Sequence, residues 1–257
     1  LKAPMICLGH QFLFLHKDFR FPSKGYADHY ALNFFTNMVA HGASKILALS
    51  FRPMPEDPRR RIKVVPPLLR PAVLGLRHAS GEDDPLVHDG GYVHGYMLNS
   101  GFSRDVMDWH AVHPEVPLRF FWDKVDEAPM KVVDKTLSFY YLDDEEFLRQ
   151  MAGCHAYAST AGFESVCEAM YLGKPLLMVP SHVEQKCNAY DATEGYRMVL
   201  GESGGDHGTI PRPAVASDKF DLDLLLHFAD NEYVADKSFP DWARSADPVF
   251  LKELTFS

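Results

Sequence analysis

The stretch "CHAYASTAGFESVCEAMYLGKPLLMVP", Cys154 to Pro180, constrains this chain more than any other. An apolar run, Cys154 to Ser159, ends at the small residues Thr160, Ala161 and Gly162, and a helical pattern follows from Phe163 to Leu172. Gly173, Lys174 and Pro175 stop that helix, with Gly at its edge and Pro just beyond. The apolar run "LLMVP" begins at once. Parallel strands need a crossover of this kind, so the segment reads as strand, helix and strand of one buried parallel sheet. The next residues, "SHVEQKCNA", turn into another helix. Both turns therefore lie just past the carboxyl ends of parallel strands, where open α/β sheets bind ligands.

The same alternation runs through the chain and predicts an α/β fold. "APMICLGH" (Ala3 to His10) and "SKILALSF" (Ser44 to Phe51) read as strands around a helix from His29 to His41. In "VVPPLLRPAVLGL", Val64 to Leu76, Pro66, Pro67 and Pro71 interrupt helix and ladder bonding and mark a domain junction. The acidic, Gly-rich run from Ser80 to Gly91 reads as a mobile loop. A second series follows: the strand in "YVHGYMLNSG", a helix from Ser103 to His113, the strands "LRFFW" and "KTLSFYY", and the helix "DDEEFLRQMAG". With 257 residues, 46% of them hydrophobic, the chain can pack a core. Its net charge of -9 argues against nucleic acid as a partner, and the basic run "RRRIK" (Arg59 to Lys63) reads as a solvated loop. Cys7, Cys154, Cys167 and Cys187 show no C-x-x-C spacing, which fits a reduced, cytoplasmic protein. There is no run of eighteen apolar residues and no signal-peptide pattern.

The chemistry of the two turns is specific in its order. Backbone N–H groups at Gly162, Phe163 and Glu164, backed by the helix dipole, suit a phosphate without a cationic side chain. Small residues from Thr160 to Gly162 let a diphosphate approach closely. Glu164 and Glu168 are one helical turn apart on one face. A carboxylate beside a diphosphate needs hydroxyl donors, and a ribose diol supplies two, each charge-assisted bond contributing about 1.5–3 kcal/mol. Gln185 and Asn188 offer uncharged donors and acceptors for sugar hydroxyls. The order is phosphate, ribose, sugar. Elsewhere, Asp221 and Asp223 form a D-x-D pattern, but they open an amphipathic helix where acids are expected anyway. His110 and His113 share a helix face without the further ligands a zinc site needs, so no metal is expected. Neither a Walker loop nor a G-x-G-x-x-G is present, which argues against ATP hydrolysis and hydride transfer.

From "YYLDDEEFLRQMAGCHAYASTAGFESVCEA" through "GKPLLMVPSHVEQKCNA", about fifty residues, the joint order of small-Gly, Glu, Lys-Pro, Pro, Gln and Asn-Ala resembles one family's C-terminal domain. That family is the two-domain, GT-B type glycosyltransferases, in the group around the peptidoglycan N-acetylglucosaminyltransferase and its uncharacterised microbial relatives. The resemblance implies an α/β protein of two facing Rossmann-like domains. It implies that Glu168 binds the ribose of a UDP-sugar, that Gln185 contacts the donor sugar, and that Thr160 to Gly162 face the diphosphate, with Ala161 where many relatives have Gly. The backbone near Tyr141 and Leu142 would hold the base, and the loop of Asn99, Ser100 and Gly101 would lie near the phosphates and acceptor. With Phe163, Glu164 and Asn188, these make up the expected donor site.

The front of the chain departs from the family, since residues 1–63 hold neither the Gly-rich acceptor loop nor enough α/β units. Residues 1–66 are accordingly expected to be the remnant of an acceptor-side domain, and residues 67–257 the nucleotide-sugar domain. On this reading the general base lies outside the chain, with His10, beside Gln11 at the end of the first strand, the catalytic candidate within it. The implied activity is transfer from a UDP-sugar, or another NDP-sugar, to an acceptor hydroxyl, inverting and metal-independent, with no cofactor. The implied setting is cytoplasmic cell-envelope synthesis, with a lipid-linked or polysaccharide acceptor. In "HQFLFLHKDFRFPSKGY", Phe12, Phe14, Phe19 and Phe21 alternate with His16, Lys17, Arg20 and Lys24, which suits either a peripheral membrane contact at the inner face or a surface packed on the rest of its domain. Two alternatives stay open: a UDP-sugar 2-epimerase of the same architecture, and a non-catalytic nucleotide-sugar-binding protein.

Overall fold

Two sheets, one parallel and one parallel but for an edge strand, meet with their carboxyl ends toward a common cleft in the computed structural model, which describes residues 4–79, 90–97, 100–123, 130–195 and 210–254. The first sheet has the order β1 (Ile6–Gly9), β2 (Lys45–Leu49), β3 (Ile62–Val65), all parallel. A short 3-10 helix, His10–Leu15, buries Phe12, Leu13, Phe14 and Leu15 beneath α1 (Tyr26–Val39), which makes the crossover to β2. Of these phenylalanines, Phe12, Phe14 and Phe19 are core rather than exposed, and Phe14, Phe19 and Phe21 pack on one another.

The strand β3 was hidden in the sequence by the basic run before it. Arg59 to Arg61 lie in an exposed turn, as expected, and Lys63 belongs to the strand. Arg60 donates to the Leu15 carbonyl, Arg61 to the Ala43 carbonyl at 2.8 Å, and Lys63 pairs with Glu56 and Glu253 at 3.0 and 2.7 Å. The Pro-rich stretch also resolves into parts. It closes β3, crosses between the sheets over residues 66–70, and opens α2 (Pro71–Ala79) with Pro71 as its first residue, where the missing N–H is harmless.

The second sheet has seven strands in the order β10-β9-β8-β4-β5-β7-β6. Its strands are β4 (Val93–Met97), β5 (Leu118–Trp122), β6 (Met130–Val132), β7 (Leu137–Tyr141), β8 (Ala156–Ser159), β9 (Leu176–Met178) and β10 (Ala214–Ala216). All pairs are parallel except β6 with β7. Helices α3 (Ser103–His110), α4 (Asp144–Gly153), α5 (Phe163–Tyr171) and α6 (Val183–Tyr190) lie between them. The chain builds outward from β4 to β7 and then returns to lay β8 against the other side of β4, so the switch point of this doubly wound sheet is between β4 and β8. The three-residue edge strands β6 and β10 were not legible in the sequence. The Ser80 to Gly91 loop falls largely outside the described residues.

Helices α7 (Leu222–Asn231), α8 (Phe239–Arg244) and α9 (Ala246–Leu254) close the chain. The last two cross back. Arg244 Nε reaches the Tyr171 hydroxyl on α5 at 3.2 Å, Trp242 Nε1 donates to the Ser50 carbonyl at 3.0 Å, and Phe250 packs with Leu47 and Val65. Glu253 holds both Lys45 and Lys63. Part of 67–257 therefore finishes the first sheet's packing.

Candidate functional site

The cleft between the sheets has two lobes. The larger, about 600 Å³, is lined from the first sheet by Gly9, His10, Gln11, Leu49 and Pro67, and from the second by Tyr96, residues Gly162 to Ser165, and Glu184. The other, about 340 Å³, shares Tyr96, Glu164 and Ser165 with the first and continues to Arg70, Leu142, Asp144, Phe147 and Glu168. A cavity of about 780 Å³, lined by Lys24, Gly25, Asp28 and His29 and by the α6–β10 side, holds none of the donor-site residues singled out in the sequence.

The turn from β8 into α5 is built by side chains behind it. The Ser159 hydroxyl accepts the Ala161 N–H at 3.1 Å, and Asn188 Nδ2 donates to the Ala161 carbonyl at 3.1 Å. Ala161 sits at φ 62, a left-handed conformation that costs a non-glycine residue about 1–2 kcal/mol, which explains why glycine suits this position. Gly162 is the N-cap without a capping side chain, so the first amides of α5 face the cleft with no intrahelical acceptor. At the other end Gly173, φ 69, terminates the helix, and Lys174 Nζ ties the next turn to the Cys154 carbonyl at 2.9 Å.

Of the residues the sequence singled out, the structure gathers Gly162, Phe163, Glu164, Glu168, Leu142 and His10 around the cleft. It turns others away. Gln185 and Asn188 are 5% and 1% exposed; Gln185 Oε1 accepts from the Ser181 N–H and hydroxyl at 2.9 and 2.8 Å, and Asn188 braces Ala161. Neither lines a lobe. Helical spacing tells which residues share a face but not how the helix is rolled. It is Glu184, their neighbour on α6, that reaches the cleft. Thr160 and Ala161 are buried behind the turn, and Tyr141 is exposed at the end of β7. Gly101 lies in a short 3-10 turn, Ser100–Phe102, and lines neither lobe, and Asn99 is outside the described residues.

His10 fills the seam. Its ring stacks on Phe163 at 3.8 Å between centroids, and Nδ1 lies 2.8 Å from the Leu49 carbonyl, which makes Nδ1 the protonated nitrogen and leaves Nε2 a bare lone pair. Burial lowers its pKa to about 4, against the Leu49 carbonyl, Asp191 and Asn188, which pull upward. Behind it, Asp191 and Arg52 form a buried ion pair, 2.7 Å, between the two halves. A base works best with a pKa near the operating pH, so His10 as it stands is a weak one.

The residue sequence reasoning missed is Arg70, between the sheets. Its guanidinium forks onto Glu168, Nε to Oε1 at 2.6 Å and Nη2 to Oε2 at 2.8 Å, with Nη1 3.0 Å from Asp144. Its place just before Pro71, at the junction, was the available signal. The D-x-D pair is structural, Asp221 capping α7 through the Leu224 N–H and Asp223 lying near His113. Among the described residues no cluster of three metal-ligating side chains occurs, and no helix is long and apolar enough to cross a membrane.

Two facing parallel sheets with a nucleotide-sized cleft at their carboxyl ends define a GT-B architecture. The profile of glycosyl transferase family 1 matches residues 2–202, and the chain belongs to that family. Among solved structures, Arabidopsis thaliana UGT89C1 complexed with UDP is similar at 15% identity and TM-score 0.52, covering 95% of this chain and 62% of that one. The glycotransferase of kitacinnamycin gives 16% identity and TM-score 0.50, covering 90% and 63%. The hydroquinone glucosyltransferase of Rauvolfia serpentina is 34% identical over 61 residues, 24% of this chain and 13% of that protein. The chain thus spans less than two thirds of the length of each.

Proposed function

We propose that this chain binds a nucleotide-sugar, with a UDP-sugar the favoured donor, and transfers the sugar to an acceptor hydroxyl by a metal-independent, inverting displacement. The carrying observation is the β8–α5 turn, where the start of α5, without a capping side chain, lines the cleft at the sheet's switch point, with Glu164 and Glu168 on the same side. The diphosphate would lie against the first amides of α5 and the ribose diol against Glu168. Leu142, at the far end of the smaller lobe, would flank the base.

In such a displacement the acceptor oxygen bonds to the anomeric carbon as the bond to the diphosphate breaks, and the diphosphate leaves with added negative charge. Preorganised amides aimed at that charge can lower the barrier by about 2.7–4 kcal/mol each. His10 is the candidate base on the first-sheet side, through Nε2, provided negative charge near the ring raises its pKa from about 4. The test is calorimetric titration with UDP, UDP-N-acetylglucosamine and ADP. Micromolar binding of the uridine ligands, with ADP weaker by about tenfold (~1.4 kcal/mol), is expected. Equal binding of ADP, or none of any, overturns the donor assignment.

A further inference from the structure

The cleft poses a charge problem. Among the described residues, the lining of its two lobes carries four carboxylates, Asp144, Glu164, Glu168 and Glu184, and one cation, Arg70. The N-terminus of α5 contributes roughly half a positive charge, to be set against those four acids and the charge of a diphosphate. The one cation is held on the carboxylate assigned to ribose. The Glu168 side chain is only 4% exposed, and the Arg70 fork covers its open side. A diol and the fork cannot both occupy that side.

We propose that Arg70 is the diphosphate-binding cation of the donor site, parked on Glu168 in the free protein and exchanged for the ribose diol when the donor enters. This rests on the nucleotide-sugar reading above. The swing required is short. Glu168 lies five residues into α5, about 7.5 Å along its axis from the first amide, close to the length of an extended arginine side chain. Glu164, one turn nearer the amides, already acts on the guanidinium, adding to the pull of Glu168 and Asp144 that raises its pKa. The Arg70 backbone stays put, because its carbonyl accepts from the Val73 and Leu74 amides at the start of α2. Only the side chain needs to swing. A guanidinium fork fits a phosphate as it fits a carboxylate, so one planar contact replaces another. Afterwards Glu168 has two hydroxyl donors and the diphosphate has a cation.

The experiment titrates uridine and UDP into the wild-type chain and into Arg70→Ala and Arg70→Lys. Wild type is expected to prefer UDP over uridine. In Arg70→Ala, uridine should bind as well as or better than in wild type, while UDP weakens by about tenfold or more, so the preference collapses. Arg70→Lys should keep the preference within roughly fivefold. Arg70→Ala with unchanged UDP affinity, or with uridine and UDP weakened in equal proportion, overturns the role. If Arg70→Ala does not fold, the uncharged Arg70→Gln decides in its place: unchanged UDP affinity, or uridine and UDP weakened in equal proportion, overturns the role. A wild-type chain that binds neither ligand overturns the donor reading and this inference together; a wild type that binds UDP with the wrong variant pattern overturns this inference alone.

Discussion

At Glu168 the sequence and the structure meet on one side chain. Spacing put its carboxylate on the same helix face as Glu164, and the structure places both at the cleft. What spacing could not supply was the partner from residue 70, 98 positions away, because an ion pair between distant segments leaves no local pattern. Asn188 shows the converse. Its amide type suited a sugar, yet its amide nitrogen holds the carbonyl of a left-handed Ala161. Replacing Glu168 with Ala should weaken uridine binding by about tenfold or more, since a diol loses charge-assisted bonds of about 1.5–3 kcal/mol each. The variant should stay folded, because Arg70, 37% exposed, keeps Asp144 and water as partners. Titration with a parallel thermal melt checks both, and unchanged uridine affinity would remove ribose from Glu168.

At the scale of elements, the strands and helices of the β8–α5–β9 unit were legible to within two residues, since Gly173 and Pro175 punctuate a clear change of period. β3, α2, β6 and β10 were not. Strands of three or four residues carry too little periodicity, and the prolines that looked like breakers of the junction are a linker and a helix start. The clearest element-level consequence concerns α9. It is the cover of the first sheet, with Phe250 8% exposed against Leu47 and Val65. Phe250→Ala should cost about 3 kcal/mol or more, as truncation of a buried aromatic usually does. Hydrogen exchange would then quicken in β2 and β3 before it does in β4 or β8. Exchange that rises everywhere together would mean that the two sheets unfold as one unit without α9 as a separate staple.

The whole molecule should respond to acid in a defined direction. His94 is fully buried between Phe147, Phe121 and Tyr157, and burial lowers its pKa to about 3. His10, at the seam, is lowered to about 4. Unfolded, both would protonate near 6.5. Below that pH the unfolded chain binds more protons than the folded one, so the stability present above pH 6.5 is lost as pH falls toward 4. The slope is at most about 1.4 kcal/mol per pH unit for each histidine. Urea midpoints at pH 7 and pH 5 would show the loss, and His94→Phe should flatten it; an unflattened slope would assign the acid response to other groups.

What the sequence determined by itself was local and periodic: the α/β class, the order of most elements in the second sheet, and a turn, helix and carboxylate pair at a strand exit. Those follow from hydrophobic period, glycine and proline punctuation, and helical spacing, all properties of neighbours along the chain. Tertiary structure alone decided the roll of α6, which sends Glu184 rather than Gln185 or Asn188 to the cleft, the return of α8 and α9 to the first sheet, and the Arg70 fork on Glu168. Each of these is a contact between segments far apart in sequence, set by how faces pack and charges pair in three dimensions, which no window along the chain contains.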